Sequence, residues 1–225
     1  DSFVELFDRE FVETQEAAGM RIIGQFRDLA DPNRFVWLRG FTDLPAREKA
    51  LTAFYMHGEA WQRHSEVARS MMIDSSDALL LHPVRPGSAF VLESPTVRAG
   101  LESAPPKGVV VATIYHPRVS GDADLLRFFD SAVMPTLIDA GARPLGLFAT
   151  EHSPNNFPRL PLREGEDVLV SFLGFADLDA HHGYMTALGR NPRWRGEIYP
   201  ALVRRLLTRP QILRLAPTTR SQLRA

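Results

Sequence analysis

The sequence predicts an α+β fold built from tandem ferredoxin-like repeats with antiparallel sheets, and three observations predict it. Ala18-Gly19-Met20-Arg21-Ile22-Ile23-Gly24-Gln25-Phe26 returns 122 residues later as Ala140-Gly141-Ala142-Arg143-Pro144-Leu145-Gly146-Leu147-Phe148. Gly40-Phe41 then pairs with Gly174-Phe175, and Trp61 with Trp194, in the same order. Sixteen residues beyond each tryptophan a final apolar strand begins, at Asp77-Ala78-Leu79-Leu80-Leu81 and at Pro210-Gln211-Ile212-Leu213-Arg214-Leu215. One short match could be chance, but a collinear series argues duplication.

The elements follow in order. Phe3, Leu6, Phe7, Phe11 and Met20 begin with helical spacing, and Gly19 stands where a helix is capped. Strands are expected over Met20 to Arg27 and Arg34 to Phe41, joined by the turn chemistry of Ala30-Asp31-Pro32-Asn33. Helices over Pro45 to Tyr55 and Glu59 to Met72, broken near Gly58, lead to a strand over Asp77 to Pro83. The second half opens one element earlier, with the β-branched run Val109 to Tyr115 and a helix from about Asp122 to Ala140. Carried back by 122 residues, that run has its counterpart before Asp1, so an opening strand of the first half is expected upstream. Each half then reads β-α-β-β-α-β, and the two sheets pack face to face or close into a barrel. The expected division is a first repeat over 1–86, a proline-rich connection over 87–107, a second repeat over 108–217 and a tail over 218–225.

Composition narrows the classes. With 225 residues, 44% hydrophobic and 24% charged, the chain can bury a sizeable core. It has no cysteine, which removes thiolate metal sites and cysteine nucleophiles and fits a reducing cytoplasm, the expected location. No apolar run approaches the ~20 residues of a membrane span. From Arg190 onward nine arginines face one acid, Glu197, but they are spread among apolar residues and read as a solvated helix face rather than a nucleic-acid site. Arginine outnumbers lysine 24 to 2, which suggests a bacterial source with a GC-rich genome.

Gly19-Met20-Arg21-Ile22-Ile23-Gly24-Gln25-Phe26 and Arg34-Phe35-Val36-Trp37-Leu38-Arg39-Gly40-Phe41 resemble the NIPSNAP family. Pro154-Asn155-Asn156-Phe157-Pro158-Arg159-Leu160-Pro161 and Asn191-Pro192-Arg193-Trp194-Arg195 are similar to its bacterial members. The resemblance implies a pseudo-dimer of the dimeric α+β barrel type, related to antibiotic-biosynthesis monooxygenases, chlorite dismutases and haem-degrading enzymes. It implies no established reaction.

Duplication supplies a filter for chemistry: a residue kept in both halves serves the fold, whereas a polar residue in one half needs another reason. Trp61 and Trp194 are therefore expected to be buried anchors. Trp37 and Arg39 share one side of their strand where the second half has Ser171 and Leu173, and if that side faces the barrel interior they would suit a small acidic or enolic ligand. His64 matches Glu197 and could serve as a haem ligand or proton donor, although an uncommitted surface histidine is the plainer reading. Tyr115 ends a strand at a potential pocket mouth. Gly146 to Gly174 exceeds Gly24 to Gly40 by twelve residues. The extra loop, Thr150 to Arg163, carries His152, Asn155, Asn156 and Arg159 between three prolines and is expected to cover one end of the barrel and form the site. His181 and His182 lie about 100° apart on a helix and lack a spaced partner, so no metal is expected. No cofactor is expected either.

Serine-nucleophile, phosphate-loop and dinucleotide signatures are absent. The favoured reading is a protein that binds a small apolar or acidic ligand in the barrel interior or docks a partner, with a homodimer compatible with it. The alternative is a metal-free oxygenase or isomerase acting on an enolisable aromatic or polyketide-like substrate. It needs His152 or Asn156 to converge with Trp37 or Arg39 on a closed apolar cavity, and a solidly packed barrel tells against it.

Overall fold

The computed structural model of the chain describes residues 2–92 and 98–225. The middle of the expected 87–107 connection thus lies outside the described residues. Helix α1 (Ser2–Leu6) passes through a π-helical turn at Phe7–Phe11 into α2 (Val12–Ala17). Next come β1 (Arg21–Asp28), β2 (Phe35–Gly40), α3 (Leu44–His57), α4 (Glu59–Ser70) and β3 (Leu81–Pro83). The second half has β4 (Val109–Tyr115), α5 (Ala123–Phe128), a π-helical turn at Phe129–Val133, α6 (Met134–Asp139), β5 (Arg143–Thr150) and β6 (Leu169–Phe175). It ends with α7 (Leu178–Arg190), a π-helical turn at Trp194–Ile198, α8 (Tyr199–Arg204) and β7 (Gln211–Pro217).

All strand pairs are antiparallel, in the order β2-β1-β7-β4-β6-β5-β3. The stretch β7-β4-β6-β5 is the ferredoxin-like order, with the first and third strands of the half at its centre. Two ladders join the halves: Phe26 to Asp28 pair with Pro217 to Leu215, and Leu81 to Pro83 with Thr150 to Phe148. The halves therefore share one curled sheet rather than stacking two. The strand expected over Asp77 to Pro83 is only three residues long.

Period-two alternation divides the side chains between two faces. Val110, Ala112 and Ile114 of β4 join Phe26, Phe148, Phe172 and Leu215 on the concave face, while Val109, Val111 and Tyr115 turn to the helices. The concave face is filled by apolar side chains, and Phe90, Leu92 and Leu223 from the connection and the C-terminal segment pack onto it. On the convex face α1 to α4 cover β1 and β2, and α5 to α8 cover β4 to β6.

Local geometry is matched between the halves. Gly19 and Gly141 take φ of 100° and 109°, which favours glycine. The register slips between Ile22 and Gly24 and again between Pro144 and Gly146. Asp43 caps α3 by accepting from the Ala46 amide, and Asp177 caps α7 by accepting from the Ala180 amide.

Candidate functional site

The polar residues that need an explanation gather between β2 and the helices of the first half. Trp37 and Arg39 point to this helix layer, whereas Val36 and Leu38 of the same strand face the barrel interior. Arg39 thus does not serve the interior. Its Nη1 donates to Gln15 Oε1 and to Tyr55 Oη, each at 3.1 Å, and its guanidinium carbon lies 5.7 Å from the Tyr55 ring centre. Gln15 is held for this contact because its own Nε2 donates to the Phe11 carbonyl.

Arg47, in the first turns of α3, is only 2% exposed. It lies on the apolar stripe that continues through Ala50, Leu51 and Phe54. Its Nη1 donates to Asn155 Oδ1 at 3.2 Å and to Asn156 Oδ1 at 2.5 Å. The long loop of the second half therefore docks on the helix layer of the first half. Asn156 Nδ2 donates to the Leu44 carbonyl, Asn155 Nδ2 to the Leu160 carbonyl, and Phe157 is buried beside Tyr55 at 6.0 Å between ring centres. The loop expected to cover one end of the barrel thus braces α3.

Both guanidiniums have neutral acceptors, and among the described residues neither is in an ion pair with a carboxylate. Burial lowers the Arg47 pKa, and the charge of Arg39 lowers it further. The hydrogen bonds described above all come from Nη1 of each fork. Trp37, Phe54, Tyr55, Trp61 and Phe157 supply the aromatic surroundings.

The structure thus brings together Trp37, Arg39, Asn155 and Asn156. His64 stands at the rim, 3.6 Å from Glu10 Oε2 and edge-on to Phe11. Tyr115 is elsewhere, buried against Phe129 in the second helix layer with its hydroxyl 3.5 Å from Ser171 Oγ, and burial raises its pKa. His152 is exposed and lies 3.2 Å from Asp167. Arg159 is exposed. Gln15, Arg47 and Tyr55 escaped the sequence reading. Arg47 did leave a signal, a cation three, four and seven residues before the buried Ala50, Leu51 and Phe54.

Two concavities lie away from this cluster. One of about 450 Å³ is an open groove on the outer face of α3, beside Glu48, Lys49 and His57. The other, about 580 Å³, opens between the connection and the C-terminal segment, beside Arg98, Arg143, Arg220, Leu145 and Leu223. Neither is lined by Arg39 or Arg47. Among the described residues no three His, Cys, Asp or Glu side chains gather as a metal site, and His181 packs between Phe175 and Tyr184. No helix among them is long and apolar enough to cross a membrane.

No family model matches the chain, and no curated protein is similar to it in sequence. Solved structures are similar. A candidate monooxygenase from Fusobacterium nucleatum matches over 97% of this chain and 86% of its own, with 9% identity and a TM-score of 0.53. That likeness shows the dimeric α+β barrel fold alone. An uncharacterised NIPSNAP-like domain protein from Burkholderia xenovorans matches over 53% of this chain and 92% of its own, with 23% identity and a TM-score of 0.41. A NIPSNAP family protein from Agrobacterium tumefaciens matches over 52% and 99%, with 20% identity and a TM-score of 0.41.

Proposed function

We propose that this NIPSNAP-like chain binds a small anionic ligand with an aromatic or enolic body between β2 and the helix layer, at Arg39 and Arg47. The observation that carries the reading is the pair of guanidiniums held by Gln15, Tyr55, Asn155 and Asn156 without a carboxylate. A buried positive charge is costly unless an anion offsets it, and planar forks suit a carboxylate or enolate. The reading moves from the barrel interior to the helix layer because Trp37 and Arg39 face that layer, whereas Val36 and Leu38 face the interior. For the oxygenase or isomerase alternative, Asn156 gathers with Trp37 and Arg39, but His152 lies apart and exposed and neither concavity described above is lined by any of these four residues.

We also infer that the chain arose by duplication, with repeats over 1–86 and 108–217. The paired glycines, register slips, π-helical turns and aspartate caps support this. A reducing bacterial cytoplasm fits the absence of cysteine and the arginine-rich composition.

Thermal unfolding with benzoate, salicylate and phenylpyruvate tests the ligand reading, with chloride and inorganic phosphate as controls. A probe at about 100 times its Kd adds roughly 2.7 kcal/mol of stability. We expect at least one aromatic acid to raise Tm in the parent and to lose that effect in Arg39→Gln. No shift with any of the three, or equal shifts in the variant, would overturn the reading.

A further inference from the structure

The concavity between the connection and the C-terminal segment has a fixed frame. On one side Arg85-Pro86-Gly87-Ser88 has the proline and glycine of a tight turn, with φ of 82° at Gly87 and the Ser88 amide donating to the Arg85 carbonyl. The turn is tied to β5, because the Leu147 amide donates to the Ser88 carbonyl. On the other side the Leu223 amide donates to the Ile23 carbonyl, while Ser221 Oγ accepts from the Gln25 amide and donates to the Leu223 carbonyl. The start of β5 lies between them, at the register slip from Pro144 to Gly146. Both walls are thus in place before anything binds, and a ligand is spared the cost of ordering them. The volume, about 580 Å³, is that of a small-molecule site.

Five arginines line this space, and among the described residues no aspartate or glutamate does. Three of the five are paired with carboxylates outside it: Arg85 with Asp130, Arg98 with Glu16 and Arg220 with Glu13. Arg143 and Arg224 have neutral partners instead. Arg143 Nη2 donates to the Arg224 carbonyl at 2.9 Å, and Arg224 donates from Nε to the Ser221 carbonyl and from Nη2 to the Thr219 carbonyl. These bonds hold the two guanidiniums in position while leaving their charge uncompensated. The apolar part of the wall is aliphatic, with Leu92, Met134, Leu145 and Leu223, and Val91 beside them is 89% exposed. No aromatic ring lines it, in contrast to the surroundings of Arg39 and Arg47.

We propose that this cavity is a second binding site, for a free single-chain aliphatic carboxylate, with its head at Arg143 and Arg224 and its chain along Leu92, Leu145 and Leu223. A guanidinium fork matches a carboxylate. Walls without a ring offer nothing to stack an aromatic acid, whereas leucine and methionine side chains adapt to a flexible chain, and each methylene removed from water adds to affinity. The space lies between two segments of the same chain rather than on an outward face, so it encloses one free molecule and does not rest on a lipid surface. The proposal is independent of ligand binding at Arg39 and Arg47.

Isothermal titration with acetate, octanoate and decanoate, kept below their micellar concentrations, tests it, with decanol as a tail without a charge. We expect one decanoate per chain, and affinity rising about two- to fourfold with each methylene from octanoate to decanoate. The double variant Arg143→Gln, Arg224→Gln should weaken decanoate at least tenfold. Val91→Asp changes an exposed side chain and sets a negative charge beside the cavity, so it should weaken decanoate as well, and it carries the test if the double variant melts early. Arg39→Gln should leave decanoate binding unchanged. Four results would overturn the proposal: acetate binding as tightly as decanoate, which would show a cationic surface only; decanol binding as tightly as decanoate, which would show apolar adsorption only; full decanoate affinity in a folded double variant or in Val91→Asp; or decanoate binding lost in Arg39→Gln, which would place it in the helix layer.

Discussion

The ring of Phe26 lies across Gly24. A Cβ at Gly24 would fall 2.5 Å from Phe26 Cζ, and one at Gly146 would fall 2.6 Å from Phe148 Cε2. The repeated Gly-x-Phe is thus a single device: the register slip at the glycine lets a ring fold over bare backbone on the concave face.

Gly24→Ala and Gly146→Ala should each destabilise by about 1 to 3 kcal/mol, since a well-packed interior resists one extra methyl. Phe26 is fully buried, and that Cβ at Gly24 would also stand 3.0 Å from Ser221 Oγ, so little can give way there. Urea denaturation of Gly24→Ala, Phe26→Leu and the double variant checks the contact. The double variant should lose less than the sum of the singles. Strict additivity would show that the ring and the glycine do not interact.

Asn156→Ala should cost about 1 to 3 kcal/mol, because it leaves a buried guanidinium and the Leu44 carbonyl each short of a partner. Docking on α3 makes this loop part of what stabilises the first half. Arg159→Ala, at an exposed position, should change Tm little. Equal melting temperatures for parent and Asn156→Ala would show that the loop does not brace α3.

Much of the fold was legible because the repeat marks features that depend on neighbours close in sequence. Gly19 and Gly141 need positive φ, Asp43 and Asp177 cap the helix just ahead, and β4 announces itself by its β-branched run. The site was only half legible. Trp37, Arg39, Asn155 and Asn156 stood out as polar or aromatic residues without counterparts. Arg47 joins them only through a contact spanning 108 residues, and nothing local in the loop says which helix it will reach. The facing of Arg39 depended on which side of β2 receives the helices, and alternation fixes relative sides, not absolute ones.

The two repeated tryptophans should differ in weight. Trp61 meets Phe11, Phe54 and Tyr55, with ring centres 4.8 to 5.9 Å away, whereas Trp194 meets the Tyr199 ring at 5.6 Å. Both are half-buried rather than fully enclosed anchors. Trp61→Ala should therefore cost about 3 kcal/mol, at the low end for a large aromatic, and Trp194→Ala less. Equal losses in denaturant titrations would show that the repeated position, not its local packing, sets the energy.

Asp8 should give the stability a pH dependence that runs against that of a paired carboxylate. It lies in the first π-helical turn, 6% exposed, and its Oδ1 has no hydrogen-bond partner. Burial pushes its pKa up to about 6, against the pull of Arg220, Arg98 and Arg27. An unfolded aspartate titrates near 3.9, so between about 4 and 6 the folded chain holds a proton that the unfolded chain has released. Stability from this group is then full below about pH 4, falls as pH rises, and above 6 carries the cost of a buried carboxylate, roughly 2 to 3 kcal/mol. Asp8→Asn holds a neutral group of the same shape. It should unfold at higher urea than the parent at pH 7.5, and at nearly the same urea at pH 4. Other carboxylates titrate in this range, so the difference between the two proteins is the quantity to follow. A constant difference from pH 4 to 7.5 would mean that Asp8 keeps an ordinary pKa in the folded chain, with Arg220 and Arg98 offsetting its burial in full.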